Sequence, residues 1–243
     1  MSFYSKFAGY YEQVFPFREE VWRFLKEYAG SSTAVLDVGC GPGHYCGRFA
    51  REGFRATGID LDAAMIAEAQ HRYPEAEFRC LDMRKVDEIG RKFGCIWSIG
   101  NVMAYLPGDE LAPFISKIHA LLDAGGYWIM QVMHWDVLMG LTEYDFPVRK
   151  ITVDSSMATF HRRYASISSS SLLFTFSLRN EAAVLFEESM TLYPASRDRY
   201  LLFHKAAGFL HKASFSDFSG NSLRNDPGTG MVLVFRKAEA GRW

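Results

Sequence analysis

The sequence predicts an α/β protein built on a doubly wound, mostly parallel sheet of seven strands, and three observations support this fold class. First, the apolar residues 35–38 are followed by glycines at every second position and then by a helical segment. Second, strand-like and helix-like segments alternate up to residue 133, as parallel strands require. Third, strand-like runs at 210–215 and 231–235 are joined by a turn-rich loop, which is typical of an antiparallel hairpin.

The glycine-rich loop after residues 35–38 is the most informative of these features. Gly39, Gly41 and Gly43 lie where only glycine lets the backbone turn sharply and approach a ligand closely. A strand, a glycine loop and a helix form the first unit of folds that bind nucleotide-like ligands. The dinucleotide pattern needs a small residue where this chain has His44, and no Gly-Lys-Ser/Thr run marks a phosphate-binding loop.

Length and composition exclude several kinds of protein. The 243 residues suit one large domain with an added element, and the net charge of -1 offers nothing global to recruit nucleic acid or an anionic membrane. The first residues lack the apolar core of a signal peptide, and polar residues interrupt the most apolar window, 121–141. The 4 cysteines show neither a C-x-x-C motif nor a metal spacing with histidine. We therefore expect reduced thiols, no metal site and a cytoplasmic location.

Acidic residues stand near the ends of three successive predicted strands. Asp37 precedes the glycine loop, whereas Asp60 and Asp82 end the strands predicted over 54–60 and 76–82. A carboxylate at the end of the second strand can accept hydrogen bonds from both hydroxyls of a ribose. Asp60 therefore lies where such a fold holds a ribose, and three acids at successive strand ends form a distinctive pattern.

The sequence resembles class I S-adenosylmethionine (SAM)-dependent methyltransferases in several stretches. VLDVGCGPG resembles their cofactor loop, GIDLDAAMI their adenosine-binding segment, and GNVMAYLPGDEL a segment of the small-molecule enzymes. FEESMTLYP and AAGF resemble the glycine/sarcosine N-methyltransferase-like group. The resemblance implies a Rossmann-like methyltransferase fold, SAM as cofactor, S-adenosyl-L-homocysteine as product, and a small-molecule methyl acceptor.

The resemblance also implies which residues contact the cofactor. Asp60 would bind the ribose and Asp82 the adenine amino group, while Leu61 and Met65 would flank the adenine ring. For Met65, the alternative is an ordinary core position of a helix. The implied set is Tyr4, Asp37, Gly39, Cys40, Gly41, Gly43, Asp60, Leu61, Met65, Asp82, Met83 and Asn101.

Residues 1–34 are predicted to form helices that cap the sheet. Tyr4, Ala8, Tyr11 and Glu12 match a pattern, Y-x-x-x-A-x-x-Y-[DE], that resembles the segment folding over the cofactor in such enzymes. The alternative is that these tyrosines only pack the helices against the domain.

Residues 148–193 are predicted to form an antiparallel β insertion within the SAM-binding domain, which would comprise 35–147 and 194–243. The segment contains alternating strand-like runs and no convincing amphipathic helix. In such folds an insertion after the fifth strand lies above the carboxyl ends of the strands. We expect a substrate lid or, alternatively, a dimerisation element that would make the protein a homodimer.

The sequence leaves several candidates for a catalytic base. A neutral amine needs little beyond desolvation, whereas a phenol or hydroxyl needs a base with a near-neutral pKa. The candidates are His134, Tyr11, His44 and Tyr193. Either Arg162 or Arg163 could hold an anionic acceptor, but adjacent strand residues face opposite sides, so at most one points inward.

Three other functions compete with small-molecule methylation. A nicotinamide oxidoreductase or another Rossmann enzyme is disfavoured by His44, and a non-catalytic SAM-binding regulator would use the insertion as a partner surface. A nucleic-acid methyltransferase is disfavoured because the fourth predicted strand, 95–101, lacks the [DN]-P-P-[YF] motif. The sequence does not name the methyl acceptor or the atom that is alkylated.

Overall fold

A computed structural model describes residues 10–239, which form twelve strands and seven α-helices. The strands are β1 Ala34–Val38, β2 Arg55–Asp60, β3 Glu77–Cys80, β4 Phe93–Ser98, β5 Leu122–Met133, β6 Tyr144–Asp145, β7 Arg149–Val153, β8 Ser156–Ala165, β9 Leu172–Arg179, β10 Val184–Leu192, β11 Phe209–Phe215 and β12 Gly230–Lys237. The helices are α1 Tyr11–Val14, α2 Glu19–Ala29, α3 His44–Arg51, α4 Ala63–Arg72, α5 Leu111–Leu121, α6 Trp135–Leu138 and α7 Arg197–Ala206. The 3₁₀ helices are Met83–Ile89 and Val102–Tyr105.

The larger sheet has seven strands in the order β11-β12-β5-β4-β1-β2-β3. Its five strands from β5 to β3 are parallel, and β12 runs antiparallel between β5 and β11. This topology confirms the predicted doubly wound, mostly parallel sheet. Strand β1 lies between β2 and β4, so the connections that follow β1 and β4 diverge to opposite sides. A crevice therefore opens at the carboxyl ends of these two strands.

The central strands are buried on both faces. Every residue of β1 is buried, which is expected where helices cover both sides of a parallel sheet. Leu36 packs with Ile96 in one hydrophobic cluster, whereas Val35 packs with Trp97 in the other. The alternation of side chains along β1 therefore joins the two layers of the core and fixes the position of the loop that follows.

A second, antiparallel sheet follows β5 in the chain. Its order is β10-β9-β8-β6, with β7 also paired to β8. Strands β7 to β10 all lie within the predicted insertion, 148–193, while β6 and the short helix α6 precede it. Phe160, Phe176 and Leu178 form a small core with Val14 of α1, so this sheet packs against the N-terminal helix.

Two strands end earlier than predicted, which changes the placement of two site residues. Strand β3 ends at Cys80, and Asp82 follows as the N-cap of a 3₁₀ helix, where its side chain accepts a hydrogen bond from the backbone N–H of Arg84 at 2.9 Å. Strand β4 ends at Ser98, and Asn101 follows in a left-handed conformation with φ 67°. Both residues therefore lie in loops beyond the strand ends.

Candidate functional site

The loop after β1 is built from glycines for steric reasons. Gly39, Gly41 and Gly43 all have positive φ angles, of 78°, 53° and 80°. A Cβ on Gly39 would lie 2.5 Å from a methyl carbon of Val102, and one on Gly43 would lie 2.6 Å from the Phe78 ring. Gly39 and Gly43 therefore leave no room for a side chain, whereas at Gly41 the positive φ alone disfavours one.

Asp60 at the end of β2 holds this loop in place. Its Oδ2 accepts a hydrogen bond from the Gly41 backbone N–H at 2.9 Å, and its Oδ1 accepts one from the Asp62 N–H at 2.9 Å. Burial raises the pKa of Asp60 above its ordinary value. Each oxygen has a second lone pair, so the carboxylate can hold the loop and still accept hydrogen bonds from a ligand.

A cavity of about 290 Å³, which we call the loop cavity, lies beside these residues. Its wall combines the glycine loop and three acids, Asp60, Asp62 and Asp82, with apolar side chains that include Ile59, Met65 and Val102. The predicted cofactor residues that line it are Gly39, Gly41, Asp60, Leu61, Met65, Asp82 and Met83. Met65 is 1% exposed and forms a buried apolar side of the cavity. Leu61 is 70% exposed and forms an apolar side that is open to solvent.

Asp82 has a cationic partner within the chain. Its Oδ2 lies 2.5 Å from one terminal nitrogen of Arg84, and the other terminal nitrogen lies 3.3 Å from Glu110. The hydrogen bonds from Arg84 lower the pKa of Asp82. Asp82 is therefore an ionised acceptor at the rim of the loop cavity.

A larger cavity of about 400 Å³, which we call the aromatic cavity, continues from the loop cavity towards the second sheet. The residues that line both are Tyr11, Gly39, Ile99, Gly100 and Tyr105. The predicted cofactor residues Asp37, Cys40 and Asn101 line the aromatic cavity. Its far wall carries aromatic side chains and the guanidinium groups of Arg149 and Arg162.

Asn101 connects the larger sheet to the second sheet. Its Oδ1 accepts a hydrogen bond from the Met133 backbone N–H at 3.0 Å, and its Nδ2 donates one to the Tyr164 hydroxyl at 3.4 Å. Tyr164 lies on β8, and its ring is 3% exposed. The side chain of Asn101 therefore links the larger sheet to the second sheet through these two hydrogen bonds.

Gly43, a predicted cofactor residue, lines neither cavity. Gly43 packs against Phe78 and Ala69 behind the loop, where it shapes the turn. Tyr4, together with Ala8, lies outside residues 10–239, so the structure does not describe it.

The structure does not bring His134 or Tyr193 into the site. His134 follows β5 and is buried where the chain turns into α6, and its backbone N–H donates to the carbonyl of Thr229 at 3.0 Å. The Tyr193 N–H donates to the carbonyl of Ala104 at 2.7 Å. Neither side chain lines the loop cavity or the aromatic cavity.

Tyr11 and His44 do reach the site, but burial makes both poor bases. Burial and then the negative charge of Asp60 raise the pKa of Tyr11 well above its usual range, so its phenol stays protonated. Burial lowers the pKa of His44 to about 4, although Glu12 lies 3.9 Å from its Nδ1 and opposes this. Each is better suited to shape the site than to remove a proton near neutral pH.

Several lining residues were missed by the sequence analysis. Tyr105 lines both cavities, and it is the tyrosine of the GNVMAYL stretch, so its signal was present in the motif. Phe15 and Phe146 line the aromatic cavity from segments without a recognisable pattern. They reach it only because α1 and the segment after β6 fold over the strand ends.

Comparison with known proteins agrees with this geometry. Residues 35–126 match a family model described as a methyltransferase domain. This segment is therefore similar in sequence to methyltransferase domains. The match ends within β5, so the second sheet lies outside the part that the family model covers.

Individual relatives and solved structures extend the comparison. A dTDP-3-amino-3,4,6-trideoxy-alpha-D-glucopyranose N,N-dimethyltransferase of Streptomyces venezuelae is 30% identical over 101 residues, 41% of this chain and 42% of that enzyme. The structure of an S-adenosylmethionine-dependent methyltransferase from Clostridium acetobutylicum superposes with a TM-score of 0.78 at 16% identity, covering 98% of this chain and 100% of that one. DesVI of Streptomyces venezuelae gives a TM-score of 0.70 at 19% identity, covering 98% and 92%.

These comparisons establish the fold over nearly the whole described chain. The chain spans about half the length of the curated relatives it matches, between 42% and 57% for the first three. Among the described residues, 10–239, no three His, Cys, Asp or Glu side chains are placed to hold a metal ion. Within the same residues, no helix is both long enough and apolar enough to cross a membrane.

Asp37 makes the stability of the folded chain depend on pH. Burial raises the pKa of Asp37 from 3.8 to about 7. The unfolded chain ionises Asp37 near pH 4, whereas the folded chain keeps it protonated up to about pH 7. Folding therefore takes up a proton in this window, and the contribution of Asp37 to stability falls as the pH rises from about 4 to about 7.

Asp37→Asn is expected to remove this dependence. The free energy of unfolding of the variant minus that of the parent should rise by about 1.4 kcal/mol per pH unit across that window. Above the window the difference should stay constant. Urea unfolding without ligand at pH 5, 6, 7 and 8 measures the difference. A difference that does not change with pH would show that Asp37 ionises in the folded state as it does in water.

Proposed function

We propose that this chain is a SAM-dependent methyltransferase that transfers a methyl group to a small-molecule acceptor, releasing S-adenosyl-L-homocysteine. One observation carries the proposal: the glycine loop, held by the Asp60 carboxylate, borders a nucleoside-sized cavity that opens into a second cavity under the β6–β10 sheet. The first cavity suits a cofactor and the second an acceptor, and their shared residues lie where the two would meet.

The residues of the loop cavity fit an adenosyl group. Asp60 has lone pairs for the ribose hydroxyls, and Asp82 is an ionised acceptor for the adenine amino group. Met65 and Leu61 offer apolar surface to the adenine ring, with Met83 beside it. Asp37 and Asn101, in the adjoining part of the aromatic cavity, would face the amino-acid end of the cofactor.

SAM supplies a methyl group on a sulfonium, which is already activated for displacement. The S–CH₃ bond breaks with its electron pair left on sulfur, and the lone pair of the acceptor forms the new bond to carbon. The chain contributes burial, orientation and exclusion of water, which together account for large rate effects. Tyr11 and Tyr105 lie at the junction of the two cavities, where they would position the reacting atoms.

A neutral amine is the acceptor group that this site suits best. Neither Tyr11 nor His44 has a pKa suited to deprotonating a hydroxyl, and His134 and Tyr193 lie outside both cavities. A neutral amine already carries its lone pair and needs no base before attack. The Streptomyces venezuelae relative, named as an N,N-dimethyltransferase, supports this choice.

We propose that the β6–β10 sheet is the acceptor-side lid of the enzyme, because its residues form the far wall of the aromatic cavity. The boundaries 1–34, 35–147 with 194–243, and 148–193 stay predictions, as does a homodimer formed through this sheet. A net charge of -1 favours no nucleic-acid or membrane partner. The 4 free cysteines support a cytoplasmic location.

Calorimetry tests the cofactor first. We expect one molar equivalent of SAM, and one of S-adenosyl-L-homocysteine, to bind, with no binding of NADH under the same conditions. Binding of NADH without SAM would instead identify a nicotinamide enzyme. Transfer of tritiated methyl from SAM into a metabolite extract then tests catalysis, and tight SAM binding without any transfer would favour a regulator.

A further inference from the structure

Two arginines of the second sheet line the aromatic cavity. Arg149 on β7 and Arg162 on β8 both line it, and both lie over the ring of Phe15, each with its Cζ 5.5 Å from the ring centre. The Cζ of Arg162 also lies 4.5 Å from the centre of the Phe146 ring. Aromatic faces stabilise cations and hold the planar guanidinium in one orientation.

Neither arginine has an acidic partner among residues 10–239. No ion pair in that part of the chain includes Arg149 or Arg162, and it contains every Asp and Glu of the sequence. The Nε of Arg162 is buried without a hydrogen-bond partner, and Arg149 donates to the backbone carbonyl of Val14. Arg162 is half-buried and Arg149 is exposed. A second cation beside a half-buried guanidinium is unfavourable unless an anion joins them.

The neighbouring arginine on β8, Arg163, does have acidic partners. Arg163 points to the other side of the strand, where it pairs with Glu143 and lies 3.9 Å from Asp145. The chain therefore neutralises the outward arginine with two carboxylates and leaves the inward one facing the cavity. Burial, and then the charge of Arg149, lower the pKa of Arg162 to about 10, so it remains a cation at neutral pH.

The acidic residues that line the same cavity are engaged elsewhere. Asp217 accepts hydrogen bonds from Ser219 at 2.9 Å and from the Asn221 side chain at 2.8 Å. Asp37 lies on β1 beside the glycine loop, at the end of the cavity that we assign to the cofactor. Arg18, the other arginine of the lining, pairs with Glu20 at 2.6 Å. The two guanidinium groups are therefore the charged groups left to meet an acceptor.

We propose that the methyl acceptor carries an anionic group, a carboxylate or a phosphate, that is bound by Arg162 and Arg149. Its apolar body would lie against the aromatic wall formed by Phe146, Phe160, Phe174 and Phe176. This inference rests on the proposed function, since it names the class of acceptor for that reaction. Arginine suits the role because its planar fork binds carboxylate and phosphate through paired hydrogen bonds.

Calorimetry with three flat probes, in the presence of S-adenosyl-L-homocysteine, tests the proposal. Benzoate and phenyl phosphate carry the anionic group, and benzamide is the neutral match. We expect at least one anion to bind about 10-fold or more tightly than benzamide, and the preferred anion identifies which group the acceptor carries. Arg162→Gln should weaken the binding of that anion by about 10- to 100-fold and leave the binding of benzamide unchanged.

Arg163→Gln is the matched control, because it removes a positive charge one residue away on the opposite side of β8. We expect it to leave anion binding unchanged. Equal binding of benzoate, phenyl phosphate and benzamide to the parent protein, or equal weakening by the two substitutions, would overturn the proposal.

Two further measurements keep the test decisive. Arg162→Lys retains the charge and should retain part of the anion preference, and Arg149→Gln tests the second guanidinium if Arg162→Gln does not fold. The proposed function is separate, because it fails if S-adenosyl-L-homocysteine does not bind the parent protein. If that ligand binds and the anions show no preference, only the acceptor class is wrong.

Discussion

Gly41→Val is expected to weaken SAM binding by about 100-fold or more while the chain stays folded. Gly41 has a φ of 53°, a conformation that costs a β-branched residue about 1–3 kcal/mol. Its N–H donates to Asp60 and its Cα lines the loop cavity, so a shift of the loop changes the cofactor site directly. A Cβ at this position would lie 3.7 Å from the Tyr11 ring, which leaves the valine methyl groups to compete with the ligand.

Gly53→Val separates backbone strain from the effect on the site. Gly53 has a φ of 88°, and a Cβ there would meet no atom within 4 Å. It should lower the melting temperature through strain alone and leave SAM binding unchanged. Calorimetry and thermal unfolding of both variants make the comparison. Normal SAM binding by Gly41→Val would show that the glycine loop is not the cofactor site.

Asp60→Ala is expected to weaken the binding of SAM by about 30- to 1000-fold. Hydrogen bonds to a charged acceptor contribute about 1.5–3 kcal/mol each, and water entering the site would offset part of the loss. The structure adds a second cause, since the same carboxylate accepts the Gly41 and Asp62 N–H groups. Asp60→Asn should lie nearer to the alanine variant, because its amide nitrogen would face one of these N–H donors.

A cycle of protein and ligand changes isolates the ribose contact. A 2′,3′-dideoxy analogue of SAM lacks the hydroxyls, so Asp60→Ala should weaken its binding much less than that of SAM. The residual loss measures the support that Asp60 gives to the glycine loop. Equal weakening of SAM and the analogue would mean that Asp60 acts only on the loop and does not bind the ribose.

Residues whose role depends on local backbone geometry were predictable. The positive φ angles of Gly39 and Gly41 follow from a tight turn after a buried strand, and Asp60 ends β2 as expected. His134 was chosen because it follows β5, yet side-chain direction at a strand end depends on the next element. Here α6 begins at once, and the His134 ring is buried outside both cavities.

The sequence by itself determined the order of the elements, the glycine loop and the antiparallel character of the second sheet, because these depend on short-range steric rules and on side-chain periodicity. It also showed that only one of Arg162 and Arg163 could point inward. Which one does so was decided by tertiary structure, since β8 packs its Phe160 face against α1 and turns Arg163 towards Glu143. Burial by residues distant in the chain likewise sets the pKa of Asp37, which no local pattern encodes.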